Sequence, residues 1–245
     1  MPTECTPWYQ NEDPDKKLVE FVATGDMEEL NNFILEKDGG KNEESQKEYL
    51  RNLRFDSDGI ATNMYGKKSG WCLLNAAASG GQPEMVEFLV KKVGMNIDEI
   101  CYGVPAIFCC FPSMHDFGKE DNCNIERLAA AEAFIDLGAN TTHQTEPSKT
   151  GIIHSACLIK DRNIRSKAIE LLTKKAPEAC KLKNSGNNNA FHFLAQFPSI
   201  LDICPQLNLL AGVGVANSPD NFGHKAGSSP GQDSRIQDHI QKAVD

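Results

Sequence analysis

The stretch from Gly70 to Asn96 constrains the fold more than any other part of the chain. It contains two short apolar blocks, at 73–78 and 85–89, separated by the small residues Ser, Gly and Gly at 79–81. Each block is too short to form a stable helix alone, because isolated helices below about 12–15 residues are marginal in water. The two helices must pack against each other and against further copies, which predicts a solenoid of helix pairs.

Four further segments repeat the order of short helix, small-residue break and short helix. In the first, an apolar run at 18–23 precedes the break at 25–26, and a second apolar group follows at 33–35. Asp26 is placed to cap the second helix of this unit. The other three units begin near Gly103, Gly151 and Asn189. A sixth start at 217–226 decays into a Gly- and Ser-rich stretch.

These segments resemble ankyrin repeats, whose usual pattern is G-x-T-P-L-H-x-A-A-x-x-G followed by V-x-x-L-L-x-x-G-A. The clearest opening is GWCLLNAAASGG at 70–81, in which Asn75 stands where the family usually has His, and the best preserved ending is AFIDLGAN at 133–140. The resemblance covers residues 16–226 in about five degenerate units, against a usual family unit of about 33 residues. It implies an all-α ankyrin-repeat solenoid with short β-hairpin-like loops.

The spacing of the units locates two insertions. Leu74 lies 15 residues before Leu89, and the next first-helix position, Ile107, follows Leu74 by 33 residues, the usual repeat length. Longer steps elsewhere place surplus residues at about 37–68 and about 112–124. The predicted first-helix anchors are Leu18, Leu74, Ile107, Ile153 and Phe191, and the second-helix anchors are Phe33, Leu89, Ile135, Leu172 and Leu210.

Additional helices are predicted within the first insertion and at the end of the chain. The segment from Glu43 to Arg54 places Tyr49, Leu50 and Leu53 on one helical face. Residues 1–15 are expected to form an N-terminal arm, and residues 227–245 a linker and a capping helix, since the end units of a solenoid need a cap. The capping helix is predicted to have Ser234 as its N-cap and Ile236, Ile240 and Val244 on its buried face.

Charge and composition exclude several classes of partner. The formal net charge of −9 argues against binding to nucleic acid or to an anionic membrane, because both require clustered Lys and Arg. No apolar run reaches the length of a membrane span, and no secretory signal is recognisable. Nine cysteines, two of them adjacent, suit a reducing compartment better than a disulfide framework. The chain is expected to be cytoplasmic, or to act in a host cytosol or nucleus if it is an effector.

One group of side chains raises the possibility of a zinc site. Cys109, Cys110, His115 and Cys123 lie within 15 residues, and tetrahedral zinc sites use Cys and His. The spacing is not that of paired C-x-x-C knuckles, and the first two cysteines fall on a first helix, where the repeat needs small buried residues. Packed free thiols are therefore the favoured interpretation, and no cofactor is expected.

A thiol hydrolase is the catalytic alternative. His154 and His192 occupy the Leu-His position of their units, where the resemblance implies a structural ring that bonds backbone of the neighbouring hairpin. A nucleophile built from Cys157 and His154 would further need an orienting group and an oxyanion donor. We therefore expect no enzyme, with a Cys/His thiol hydrolase or a zinc-dependent site as the alternatives.

The resemblance implies protein binding on the concave face formed by the hairpins and the first helices. Trp71 is the strongest candidate contact, because Trp and Tyr dominate binding hot spots. Its alternative role is to pack against the next hairpin or against the first insertion. We expect a non-catalytic interaction module acting as an adaptor, an inhibitor or an effector. The candidate partner-binding residues are Trp71, Tyr65, Lys67, Tyr102, Ser79, Gln144, Lys149 and Asn187.

Overall fold

The computed structural model describes residues 14–38, 43–55, 70–112, 123–197, 203–228 and 234–244. Within these residues the fold is all-α apart from one two-stranded hairpin. The α-helices are α1 (Pro14–Thr24), α2 (Met27–Asp38), α3 (Glu43–Asn52), α4 (Leu73–Gly80), α5 (Pro83–Phe88), α6 (Ile125–Asp136), α7 (Ile152–Cys157), α8 (Arg162–Lys175), α9 (Pro177–Cys180), α10 (Ala190–Leu194), α11 (Cys204–Gly212) and α12 (Ser234–Val244). A π-helical turn spans Leu89–Val93, a 3-10 helix spans Ala106–Cys110, and the strands are β1 (Ile100–Cys101) and β2 (Val104–Pro105).

The helices form five successive pairs in two layers. The first helices are α1, α4, the 3-10 helix, α7 and α10, and the second helices are α2, α5, α6, α8 and α11. Along the first layer, α1 contacts α4, α4 contacts the 3-10 helix, and α7 contacts α10. Along the second layer, α5 contacts α6, α6 contacts α8, and α8 contacts α11. The predicted all-α solenoid is confirmed.

The repeat anchors form the core between the layers. All five predicted first-helix anchors, from Leu18 to Phe191, are fully buried. Among the second-helix anchors, Leu89, Leu172 and Leu210 are also fully buried. The prediction for α6 was wrong by one residue, since Phe134 is fully buried whereas Ile135 is only half-buried. The side chain of Phe33 lies outside the part of the chain that the structure describes.

Two glycines allow α1, α4 and α6 to approach closely. A Cβ added at Gly80 would lie 1.9 Å from the carbonyl oxygen of Ala23 in α1, so only glycine fits there. Gly81 ends α4 in the left-handed region, with a φ of 70°, and its amide bonds the carbonyl of Ala78. The small-residue break therefore both terminates a helix and permits contact between units.

The helix predicted in the first insertion is present as α3. It buries Leu50 and Leu53, as its periodicity predicted. The Arg51 guanidinium donates to the carbonyl oxygen of Val93 at 3.0 Å, which ties α3 to the end of the π-helical turn. The helix ends at Asn52 rather than at the predicted Arg54, because the chain then extends so that Phe55 can pair with the next unit.

The final helix, α12, packs against α11 through its apolar face. Ile236 and Ile240 are fully buried, whereas Val244 is exposed. The helix begins at Ser234, so this residue lies inside the helix rather than at the predicted N-cap position. The predicted N-terminal arm and most of the second insertion, including His115, lie outside the described residues.

Candidate functional site

Successive turns line up along one edge of the layers. We call the segments 101–104, 145–150, 184–188 and 220–224, together with the pairing of Phe55 with Trp71, the hairpin row. In the first complete hairpin, β1 pairs with β2 in an antiparallel register that matches Cys101 with Val104. Tyr102 and Gly103 form its two-residue turn with positive φ angles of 49° and 83°, as a type I′ turn requires.

Each of the later hairpins has one residue in left-handed backbone, and in two of them this residue is not glycine. Lys149 and Asn187 have φ angles of 51° and 61°, and Gly223 has a φ of 82°. Left-handed backbone is uncommon for residues other than glycine, and Asn tolerates it better than Lys. A left-handed residue is therefore kept in each hairpin even where the glycine of the family pattern is missing.

Backbone hydrogen bonds join neighbouring hairpins. The amide of Ser185 donates to the carbonyl of Ser148 at 2.8 Å, and the amide of Asn221 donates to the carbonyl of Gly186 at 3.0 Å. The last three hairpins of the row are thus joined by their own main chain, which holds the side chains on them in a defined arrangement.

Two of the predicted contact residues reinforce this row with their side-chain amides. Gln144 Nε2 donates to the carbonyls of Lys149 and Lys183, at 2.6 and 2.8 Å. Asn187 Nδ2 donates to the carbonyl of Pro219 in the next hairpin at 2.7 Å. Their donor groups are therefore engaged within the row, while Lys149 itself is exposed.

The two histidines of the repeat pattern also bridge hairpins. In His154, Nδ1 accepts from the amide of Gly151 at 3.0 Å, so Nε2 carries the proton and donates to the carbonyl of Asn188 at 3.2 Å. Burial lowers the pKa of His154 to about 4, which keeps the ring neutral. His192 Nε2 makes the equivalent bond to the carbonyl of His224 at 3.1 Å.

The geometry does not join Cys157 and His154 into a nucleophilic pair. Both ring nitrogens of His154 bond backbone atoms, and Cys157 is fully buried, which raises the pKa of its thiol. In the second unit Asn75 stands at the position of this histidine. Its Oδ1 accepts from the amide of Cys72 at 3.0 Å, as Nδ1 of His154 accepts from the amide of Gly151. These residues serve the packing of the repeats.

Trp71 lies beside Tyr102 of the next hairpin. The ring centroids are 4.9 Å apart and the ring planes are tilted by 58°, which is a favourable arrangement for two aromatic rings. The main chain of Trp71 pairs with Phe55, with N–O distances of 2.8 and 3.1 Å. Both aromatic residues are half-buried. Trp71 therefore packs against the next hairpin and still presents part of its surface, whereas Tyr65 and Lys67 lie outside the described residues.

Ser79 lies at the end of α4 and is half-buried. Its hydroxyl donates to the carbonyl of Ala76 at 3.1 Å, and its own carbonyl accepts from Arg127 Nε at 2.7 Å. This second contact joins the first helix of one unit to the second helix of the next. The side chain of Ser79 is satisfied within the fold.

Phe222 is an exposed aromatic residue that the repeat pattern did not mark as a contact. It lies in the last hairpin, with 84% of its surface exposed, and its ring centroid is 6.3 Å from that of His224. The sequence did predict this hairpin, through the start of a sixth repeat at 217–226. A large exposed phenyl group on an otherwise ordered turn is a candidate contact.

The described cysteines pack as free thiols. Cys123 lies 3.5 Å from the carbonyl of Cys110, and the Asn75 amide donates to the sulfur of Cys109 at 3.5 Å. Burial raises the pKa of Cys109 to about 11. Among the described residues, no group of three or more His, Cys, Asp or Glu side chains is arranged to hold a metal ion. None of the helices described here is long and apolar enough to cross a membrane.

Comparison with solved structures identifies the architecture. The chain is similar to the ankyrin repeat domain of Bcl-3, an IkappaB protein family member, with a TM-score of 0.55 and 12% identity over 91% of this chain and 97% of that domain. The chain has the ankyrin-repeat fold. It is also similar to a chain in the complex of the predatory endopeptidase Bd0816 from Bdellovibrio bacteriovorus with the immunity protein Bd3460, with a TM-score of 0.56 and 18% identity over 93% and 95% of the two chains.

The sequence matches no protein-family model and no curated protein. The ankyrin-repeat fold is thus reached with a sequence that has lost the Thr-Pro-Leu-His signature from most of its units. What is retained is the set of interactions that the signature serves, namely the buried anchors and the bonds between hairpins.

Proposed function

We propose that this ankyrin-repeat chain is a non-catalytic protein-binding module. Its partner binds the face formed by the hairpin row and the exposed sides of the first helices. The observation that carries the proposal is the half-buried pair of Trp71 and Tyr102, whose ring centroids lie 4.9 Å apart, each on a paired backbone segment of the hairpin row. Trp and Tyr are the residues that most often dominate protein interfaces.

The fixed backbone of the last three hairpins favours binding. Ordering flexible loops and side chains on association costs about 0.5–1.5 kcal/mol for each immobilised side chain. Here the amides of Gln144 and Asn187 already bond the neighbouring backbone, so much of the ordering is complete before a partner arrives. At the other end of the row, Phe222 adds a second exposed aromatic contact.

Adaptor, inhibitor and effector functions all use such a face. The likeness to a chain of the complex between an endopeptidase and an immunity protein makes inhibition of a bound protein the first form to test. None of the described cysteines forms a disulfide bond, which supports action in a reducing compartment such as the cytoplasm. We expect Lys149 and Ser79 to contribute at the periphery of the interface, together with Tyr65 and Lys67.

The proposal is tested by affinity capture with the full chain as bait, followed by titration of each captured protein. The bait is compared with Trp71→Ala and Tyr102→Ala. Leu209→Ala is the control, since it truncates an exposed apolar residue, 36% accessible, on a second helix. Circular dichroism shows that each variant is folded.

A partner of the proposed face is captured by wild type and by Leu209→Ala but is lost with Trp71→Ala. If every specific partner were retained by both aromatic variants, the proposed face would be wrong.

A further inference from the structure

Two cysteines from neighbouring units meet beside the aromatic pair of Trp71 and Tyr102. Cys72 follows Trp71 and is the N-cap residue of α4, and Cys101 precedes Tyr102 in β1. The side chains of the two cysteines hydrogen-bond each other, and the sulfur of Cys101 also accepts from the main-chain amide of Cys72. The two thiols are therefore in direct contact across the junction between the second and the third unit.

The surrounding structure holds both thiols in place. Cys72 Sγ lies 3.1 Å from Asn75 Oδ1, which also accepts from the amide of Cys72 at 3.0 Å. Cys101 is fixed by the antiparallel pairing of β1 with β2. The rings of the two adjoining residues, Trp71 and Tyr102, lie 4.9 Å apart. A disulfide bond requires two cysteine side chains that face each other at short range, and the stacking of the two units provides this arrangement.

The contact gives the two sulfurs different roles. The hydrogen bond with Cys72 lowers the pKa of Cys101, and the same bond raises the pKa of Cys72. Cys101 is therefore the member of the pair that ionises first and acts as the nucleophile. By contrast, burial raises the pKa of four other described cysteines, which are Cys109, Cys110, Cys157 and Cys180.

We propose that Cys72 and Cys101 are a redox-sensitive pair, which hydroperoxides convert into a disulfide bond between the second and the third unit. Both residues are buried, so the pair reacts when the short hairpin of β1 and β2 opens locally. Ile100, which adjoins Cys101 in β1, is already 47% exposed. The disulfide forms in the free chain and does not depend on the proposed partner-binding face.

The chemical step removes two electrons from the pair of sulfurs. The Cys101 thiolate attacks one peroxide oxygen, so an S–O bond forms, the O–O bond breaks, and the departing hydroxide or alkoxide takes the proton that Cys101 released. The Cys72 sulfur then attacks the sulfur of the resulting sulfenic acid, so an S–S bond forms and the S–O bond breaks. The departing hydroxide takes the proton of Cys72. The products are one disulfide and two molecules of water, or one of water and one of alcohol.

The test treats the full wild-type chain with hydrogen peroxide at about pH 7 and then blocks the remaining thiols with iodoacetamide in urea. Disulfides are mapped by mass spectrometry of tryptic peptides without reduction. We expect the first intramolecular disulfide to join the peptide that contains Cys72 to the peptide that contains Cys101, and dithiothreitol to remove it.

Two serine variants assign the cross-link to its sulfurs. Cys101→Ser should abolish it. Cys109→Ser is the matched control, because Cys109 lies on the same tryptic peptide as Cys101 and its sulfur also contacts Asn75, at 3.5 Å from Nδ2. The cross-link should remain in this control.

Three results would overturn the proposal. One is a different pair that cross-links first, such as the buried thiols of Cys157 and Cys180. The second is recovery of both Cys72 and Cys101 as blocked thiols after other cysteines have been oxidised. The third is a cross-link that persists in Cys101→Ser.

Discussion

Lys149 shows how a single residue departs from the repeat pattern without changing the backbone. Its φ of 51° places a long side chain in left-handed backbone, where non-glycine residues are disfavoured by roughly 1–2 kcal/mol. Glycine would remove this strain but would add roughly 0.5–1 kcal/mol of unfolded-state entropy. We therefore expect Lys149→Gly to stabilise the fold by up to about 1 kcal/mol.

Urea denaturation measures this change, and Asn187→Gly is its control. Asn is less strained at its φ of 61°, and glycine there would lose the bond from Nδ2 to the carbonyl of Pro219. The control should therefore be neutral or destabilising. A destabilised Lys149→Gly variant would show that the lysine side chain has a stabilising contact that outweighs its backbone strain.

His154 makes the stability of the fold depend on pH. Burial lowers its pKa to about 4 in the folded chain, against about 6.5 when unfolded. Between these values the unfolded chain binds more protons, so stability is full above about pH 6.5 and falls as the pH drops toward 4. The loss attributable to this ring is about 3 kcal/mol at most.

The variant His154→Asn tests this assignment, since Asn75 fills the same repeat position in the second unit. We expect thermal denaturation of wild type to show a steeper loss of stability between about pH 6.5 and 4 than the variant does. Burial lowers the pKa of His192 as well, so part of the acid sensitivity should remain. Equal slopes for the two proteins would contradict the assignment.

At the scale of the helices, close contact between units depends on Gly80. An added methyl group there would meet the carbonyl oxygen of Ala23 at 1.9 Å, and backbone cannot move aside as a side chain can. Gly80→Ala is expected to destabilise the fold by about 3 kcal/mol or more. Gly212→Ala is the control, because its Cβ would meet nothing within 4 Å, and it should be neutral or stabilising by up to about 1 kcal/mol.

Urea denaturation of the two alanine variants separates close packing from helix propensity. Alanine favours a helix over glycine at both positions, so propensity alone predicts that both variants gain stability. A Gly80→Ala variant as stable as wild type would show that α1 and α4 can separate without cost.

The helices were largely predictable because their anchors follow the helical period. The 33-residue step from Leu74 to Ile107 predicted the first helices of two units, α4 and the 3-10 helix. The apolar period at 43–54 predicted α3. The burial of Phe134 in place of Ile135 was not predictable, since adjacent residues near the edge of an apolar face differ little in periodicity.

For the molecule as a whole, the insertions relative to the repeat pattern lie where the stacked helices tolerate them. Each unit of a solenoid contacts mainly its neighbours, so insertions between helices leave the stacking intact. The first insertion adds α3 at the side of the stack, and the helix pairs on either side of it still contact one another through α1 and α4. Degenerate repeats can therefore keep the fold while the exposed residues diverge.

The candidate binding face was only partly predictable at this scale. The resemblance located the hairpins, and Trp71 and Tyr102 do lie together there. The resemblance did not predict that the side-chain amides of Gln144 and Asn187 donate hydrogen bonds to backbone carbonyls of the neighbouring units. Such bonds depend on how the units stack. Nor did the resemblance mark Phe222, whose hairpin belongs to an incomplete sixth unit.

The affinity of a captured partner for the Trp71→Ala variant tests the central claim most directly. If the hairpin row and first helices form the interface, calorimetry should show binding weakened by about tenfold or more, since hot-spot aromatics contribute about 2 kcal/mol or more. The control Leu209→Ala should bind within about twofold of wild type. Unchanged affinity with Trp71→Ala, combined with a large loss with Leu209→Ala, would place the interface on the second helices and contradict the account.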